Sequence, residues 1–362
     1  MNRIIIVLLF VVGYQSAFGQ GALYPTASPA PTMKTLQQIE PRTPISALPA
    51  TITASGSYYV TTNLTCTACT NGQSGITIST GNVSIDLSGF ALQGVTGSSN
   101  GISSSGILNN CIVRNGTVSG WGGAGISLSH FTGGLVLDCS SSGNSADGID
   151  VGDFCVVRDC SALRNGFVGI SGSECTVSDC NASENGTDGI SVGSSTVSGC
   201  TVAFNGNIGG AGIDAPGSTV SGCAAYSNSR QGINGADGST VSGCTVSGNG
   251  LDGILVNSFC YVLNNTATGN SGTPTFQGGI HATSNGNRID SNHSFNNSPD
   301  GILVDTNATA NIVIRNTSAS NGGFNYRVPG IPTQLPAGAN IVGSVQNDAT
   351  NSHVNAWSNF QY

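Results

Sequence analysis

Lysine occurs once in this 362-residue chain, at Lys34, and charged side chains of every kind make up only 8% of it. Ten basic residues stand against 18 acidic ones, so bare polyanions are repelled. Nucleic-acid binding, whose affinity comes from neutralising phosphates, is not expected. Aromatic residues are scarce as well, at 6%, which leaves too few large side chains for an ordinary two-layer domain. A stack of thin coils closes a core with small residues instead. No apolar run reaches the roughly 20 residues that a membrane span requires, so no span is expected.

The first residues, MNRIIIVLLFVVGYQSAFGQ, place Arg3 before an apolar run from Ile4 to Val12 and small residues at Ala17 and Gly19. This pattern predicts a secretory signal peptide over 1–19 and a secreted protein, whether extracellular, periplasmic or on the cell surface. Six of the 12 prolines fall between Pro25 and Pro49 and none recurs before Pro216, so 20–50 reads as an extended linker. Alternating apolar and polar residues in ATITASGSYYVTTNLT predict strands that cap a first coil over 51–74. A C-terminal cap is expected over 322–362, where prolines return with Trp357 and Phe360.

Between these ends lies a repeat of about 22 residues, marked by Gly-Ile at 75–76, 101–102, 125–126, 148–149, 169–170, 189–190, 212–213, 232–233, 253–254, 279–280 and 301–302. A second register runs Cys139, Cys160, Cys180, Cys200, Cys223, Cys244, Asn265, Asn292 and Asn316. Each member is followed five residues later by an asparagine: Asn144, Asn165, Asn185, Asn205, Asn228, Asn249, Asn270, Asn297 and Asn321. The runs between Gly, Ser and Asn turns are too short for helices, and the repeat length fits one turn of a parallel β-helix. The expected fold is therefore all-β: a solenoid of about 11 coils over 75–321, with Ile149 and Val151 pointing inward and Asp150 outward.

The asparagines are expected to form a turn ladder, each tolerating left-handed backbone and bonding its counterpart one coil away. The stacked cysteines fit two readings, a column of buried thiols or a set of disulfides of the kind a secreted protein permits. A metal site is not expected, since Cys66 and Cys69 form a lone CxxC pair and a column is not a tetrahedron.

The repeats from 75 to 321 resemble those of right-handed parallel β-helix proteins, the architecture shared by pectate lyases, polygalacturonases, alginate epimerases and phage tailspikes. ASGSYYVTTNLT followed by GITISTGNVSIDLSGFAL is similar to the start of a group of secreted bacterial β-helix proteins, most of them without an assigned function. The resemblance implies the right-handed fold but no particular chemistry. Polygalacturonases carry an Asp-Asp pair, a His-Gly and an Arg-x-Lys; this chain has no Asp-Asp, no His-Gly and no lysine after 34.

The spacing from ladder asparagine to isoleucine is five residues in six coils and lengthens from Asn205 to Ile213 and from Asn270 to Ile280. Both insertions, 206–212 and 271–279, leave the same corner, and such loops tend to mark a binding face. They would flank a trough of three coils, roughly 14 Å at ~4.8 Å per coil. Its floor would carry Arg230 and Gln231 with Leu251 and Asp252, beside an outward strand column of Asp214, Asn234, Leu255 and His281. Asp214, Asp252 and His281 are the combination with acid and base character, and Arg230, Gln231, Asn234 and Phe276 are the candidate ligand contacts. Each also has a structural reading, as a turn, a solvated strand residue, a tucked ring or, for Arg230, an ion pair with a neighbouring carboxylate; Asp188, in an Asp-Gly turn like that of Asp252, is expected outside the trough.

A polymer-matched solenoid with hydroxyl-rich and amide-rich faces points to extracellular polysaccharide, bound or, if the protein is an enzyme, processed as a lyase, epimerase or glycoside hydrolase. The alternative is a structural or adhesive surface spacer. No cofactor is required, with calcium entering only if the ligand is a polyuronate.

Overall fold

A computed structural model describes residues 41–272, 277–298 and 300–328, together with the strands Ile341–Val342, Val345–Asn347 and Asn359–Gln361. The signal-peptide reading at 1–19 and the linker up to 40 lie outside these residues, as does most of the proposed C-terminal cap. From Arg42 onward the chain forms one unit, an all-β parallel solenoid with three strands per coil. Among the described residues no helix occurs, and none is long and apolar enough to cross a membrane.

The Gly-Ile marks build one face, a parallel sheet of 13 strands from Ala50–Ile52 to Tyr326–Arg327. Eleven of these strands begin at the marks; one precedes them and one follows. Pairing is in register, with Ile149 beside Ile126 and Ile170, so one isoleucine column fills the core. Each fully buried isoleucine contributes about 1.5–3 kcal/mol. Two further faces, carried for example by Val156–Arg158 and Ser161–Leu163, close the coil. Thr43–Ile45 pairs with Gly56–Val60 and Ala50–Ile52 with Ile76–Ile78. Strand pairing thus starts inside the segment read as linker, and 51–74 forms part of a coil.

The glycine of each mark is required by packing. A Cβ on Gly148 would lie 2.6 Å from both the Gly169 carbonyl oxygen and Asn165 Nδ2, a contact no side chain can relieve. The sequence period therefore records a coil-to-coil approach of the backbone.

All three corners follow one rule: a residue with left-handed φ, then a small side chain turned inward. In the asparagine column the left-handed residues are Gly143, Arg164, Glu184, Phe204, Ser227, Gly248, Gly269, Asn296 and Ser320, each just before the ladder residue. The expectation that the asparagine itself is left-handed is thus corrected by one position. Its role as a ladder holds: Asn228 Oδ1 accepts from both the backbone N–H and Nδ2 of Asn205, at 3.1 and 3.0 Å. The column is buried from Asn144 to Asn297, and Trp121 takes the position before Asn144, donating its backbone N–H to Asn144 Oδ1.

At a second corner the cysteine column gives way to asparagine, with the Cys244 N–H donated to Asn265 Oδ1 at 2.9 Å. A third column, Cys155, Cys175, Ser195, Ser218, Ser239, Cys260, Asn287 and Asn311, escaped sequence reading because its residue type changes from coil to coil. Its side chains do the same work: Ser218 Oγ accepts from the Ser195 N–H at 2.9 Å. An inward acceptor satisfies a corner N–H that no strand partner reaches.

Ten cysteines are free and buried, and Cys66 and Cys69 form a disulfide; of the two readings of the column, the thiol one holds. Cys160 Sγ donates to the Arg158 and Val136 carbonyls at 3.1 and 3.4 Å. Its hydrogen bond with Cys139, together with burial, pushes the thiol up to about 12. Because all ten free thiols are buried, native protein should be inert to a thiol reagent at neutral pH. Denaturant without reductant should expose ten thiols, and added reductant 12. Fewer than ten in denaturant alone would place disulfides in the columns.

Candidate functional site

The outward residues of the Gly-Ile sheet form a row one strand apart: Asp150, Ser171, Ser191, Asp214, Asn234, Leu255, His281, Leu303 and Arg327. Asp214 and His281 are therefore three strands apart, roughly 14 Å at ~4.8 Å per strand. The combination of Asp214, Asp252 and His281 does not assemble. It divides into two groups, each completed by a residue that sequence reasoning did not select.

The first group is a clamp. His281 is 5% exposed, with Nδ1 3.2 Å from Asp252 Oδ1 and Nε2 3.1 Å from Asp305 Oδ1. Asp252 comes from the turn of the preceding coil and also accepts the Gly278 N–H at 2.7 Å; Asp305 comes from the following coil. Burial lowers the imidazole pKa, but the hydrogen bonds and charges of Asp252 and then Asp305 outweigh it and raise the pKa above the ordinary histidine value. Protonated, the ring donates from both nitrogens. Neither nitrogen is left for a substrate, so the clamp ties three coils together and does not offer a general base.

The second group is open. Asp214 accepts from Asn234 Nδ2 at 2.8 Å, and Asp188 accepts the Ala211 N–H at 2.6 Å. Burial raises the pKa of both half-buried carboxyls; charge repulsion from Asp214 adds to the rise at Asp188, and Arg230 opposes it at both. Asp188 therefore belongs beside Asp214 and not outside the trough. Among the described residues Arg230 is the one arginine without a carboxylate in ion-pair range. The others pair with Asp86, Asp159, Glu184, Asp290 or Asp300. Arg230 is exposed, and its backbone is held by N–H donation to the Gly210 carbonyl and acceptance from the Leu251 N–H.

Gln231 lies in the same turn, its carbonyl accepting the Gly212 N–H. The insertion 206–212 closes on itself, with the Gly209 N–H donated to the Gly206 carbonyl at 2.8 Å. Phe276 lies outside the described residues, as does the centre of the second insertion. Among the described residues, no group of three or more His, Cys, Asp or Glu side chains is placed to hold a metal ion.

Residues 170–289 match the family model of the right handed beta helix region, a segment that includes the second group and, of the clamp, Asp252 and His281. The chain is a right-handed parallel β-helix. Two similar solved structures are the A-modules of the Azotobacter vinelandii mannuronan C-5 epimerases AlgE4 and AlgE6. The AlgE4 module has 16% identity over 80% of this chain and 91% of its own, with a TM-score of 0.58. For AlgE6 the values are 15%, 85%, 90% and 0.55. A double mutant of the periplasmic alginate epimerase AlgG is similar at 12% identity over 77% of this chain and 75% of its own, with a TM-score of 0.51. No curated protein matches the sequence. At these identities the likeness is one of fold.

In this β-helix, Asp188 was legible as an Asp-Gly turn residue. That turn also occurs at Asp147, Asp252 and Asp300, each accepting a backbone N–H from the next coil. Asp305 carried no such signal, because its partnership depends on how far the His281 ring reaches across a coil.

Proposed function

We propose that this β-helix is a secreted protein that binds extracellular polysaccharide along the outward face of its Gly-Ile sheet. The observation that carries the reading is Arg230, an exposed guanidinium without an ion-pair partner among the described residues, set beside the half-buried Asp188–Asp214 pair and Asn234. Planar donors next to carboxylate and amide acceptors suit hydroxyl groups in a repeating chain. Solved proteins of similar fold include epimerases named for mannuronan and alginate, which supports a carbohydrate partner. Binding is favoured over turnover because His281, the one imidazole in the outward row, has both nitrogens occupied.

An array of immobilised neutral and acidic polysaccharides tests this. The protein should be retained on at least one polymer. Its carboxylates repel polyuronates, so acidic polymers should need a divalent cation to bridge them, while retention on neutral polymers should survive chelator. No retention on any polymer would reject the reading in favour of a structural spacer, and tight alginate binding in excess chelator would contradict its electrostatics.

A further inference from the structure

Beside the Asp188–Asp214 group, at the asparagine corner, lies a second surface of different chemistry. Phe204 occupies a left-handed corner position with φ 57°, where other coils place Gly143, Gly248 or Gly269. A bulky side chain is disfavoured there, yet the ring is 54% exposed. It meets Tyr226 edge-on, the ring centroids 5.7 Å apart. Ile208, 67% exposed, sits on the adjoining turn, fixed by N–H donation to the Gly186 carbonyl. These side chains and Asn207 border a shallow groove whose other wall is Arg164 and Glu184. Arg164 Nε and Nη2 donate to the Glu184 carboxylate at 2.8 and 3.2 Å.

We propose that this groove binds a neutral sugar chain, with the Phe204 ring as its stacking platform. The proposal rests on the polysaccharide reading above and adds a second contact site of stated ligand class. The charges in the groove cancel in a bidentate pair, so neither a carboxylated nor a cationic ligand gains from entering. The pair still presents N–H donors and carboxylate lone pairs to hydroxyl groups. An exposed ring beside an aliphatic side chain offers the flat apolar surface that the C–H face of a pyranose covers. The groove crosses the coils of Arg164, Glu184 and Phe204, which at ~4.8 Å each match two or three sugar units.

Native electrophoresis through gels containing galactomannan, a mixed-linkage β-glucan or, with calcium, alginate tests the proposal. The wild type should be retarded by at least one neutral polymer. Phe204→Gly removes the ring and installs the residue that other coils use at this corner, so it should weaken retardation about tenfold without lowering the melting temperature. Should it melt lower, Ile208→Ser on the exposed turn takes its place under the same criterion. Tyr261→Ser, an exposed aromatic on another face, should change nothing. Wild-type retardation by the folded variant would overturn the proposal. Retardation by alginate alone would overturn it and leave the polysaccharide reading standing; retardation by no polymer would overturn both.

Discussion

Replacing Asn228 with leucine, a side chain of similar size, is expected to lower folding stability by about 3–5 kcal/mol: the stranded Asn205 N–H costs about 1–3 kcal/mol, and the hydrogen bonds lost to Asn205 Nδ2, Asn249 Oδ1 and the Val202 carbonyl about 0.5–1.5 kcal/mol each. Asn228 Oδ1 accepts two hydrogen bonds from Asn205, while its Nδ2 donates to Asn249 Oδ1 at 3.0 Å and to the Val202 carbonyl at 3.2 Å. Leucine removes all four and strands the Asn205 N–H in a buried corner. A coil touches only its neighbours, so the loss concentrates there and a single unfolding transition should broaden or split. Urea denaturation followed by circular dichroism reads both effects. Asn181→Ala, on an exposed strand position, should stay within about 0.5 kcal/mol of wild type. A loss below about 1 kcal/mol for Asn228→Leu would mean that the ladder is not what holds the corner.

His281→Ala should be comparably damaging, by about 3–5 kcal/mol at mildly acidic pH, because removing one partner from a buried charged cluster leaves the others uncompensated. It should also change the shape of the pH dependence. The folded-state pKa of His281 is raised, so the clamp's contribution is fully present below the unfolded value of about 6.5 and is lost as pH rises through the folded value. Above that point one ring nitrogen becomes a lone pair facing a carboxylate. Wild-type melting temperature should therefore fall from near neutrality upward, and the His281→Ala curve should lack that fall. Parallel curves would show that the imidazole does not titrate between the two carboxylates.

The solenoid was legible because its constraints recur: a glycine wherever the next coil's carbonyl approaches, and an asparagine wherever a corner N–H needs an acceptor. Recurrence gave the phase without giving the reason. Nothing in the spacing shows that Gly148 is excluded from bearing a Cβ by Gly169, or that the left-handed residue is Arg164 and not Asn165. The site was legible only as a face. Phase counting put Asp214, Asn234 and His281 in one outward row, correctly, and spaced that row at ~4.8 Å per coil; grouping Asp214 with His281 across three strands overlooked that spacing. Asp305 went unselected because side-chain reach between coils leaves no periodic trace, whereas Asp188, legible as a turn, was placed outside the trough because it precedes the first insertion. Arg230 was legible as a candidate, whereas its lack of an ion-pair partner emerges only once every other described arginine has been placed beside a carboxylate.

The most direct test of the polysaccharide-binding face is the apparent affinity for the best-retained polymer, measured for wild type and for the double variant Asp214→Asn, Arg230→Ala. The amide keeps the acceptor for Asn234 Nδ2, and Arg230 is exposed, so the melting temperature should be unchanged. The account predicts at least tenfold weaker binding by the double variant; undiminished binding with an intact fold would contradict it.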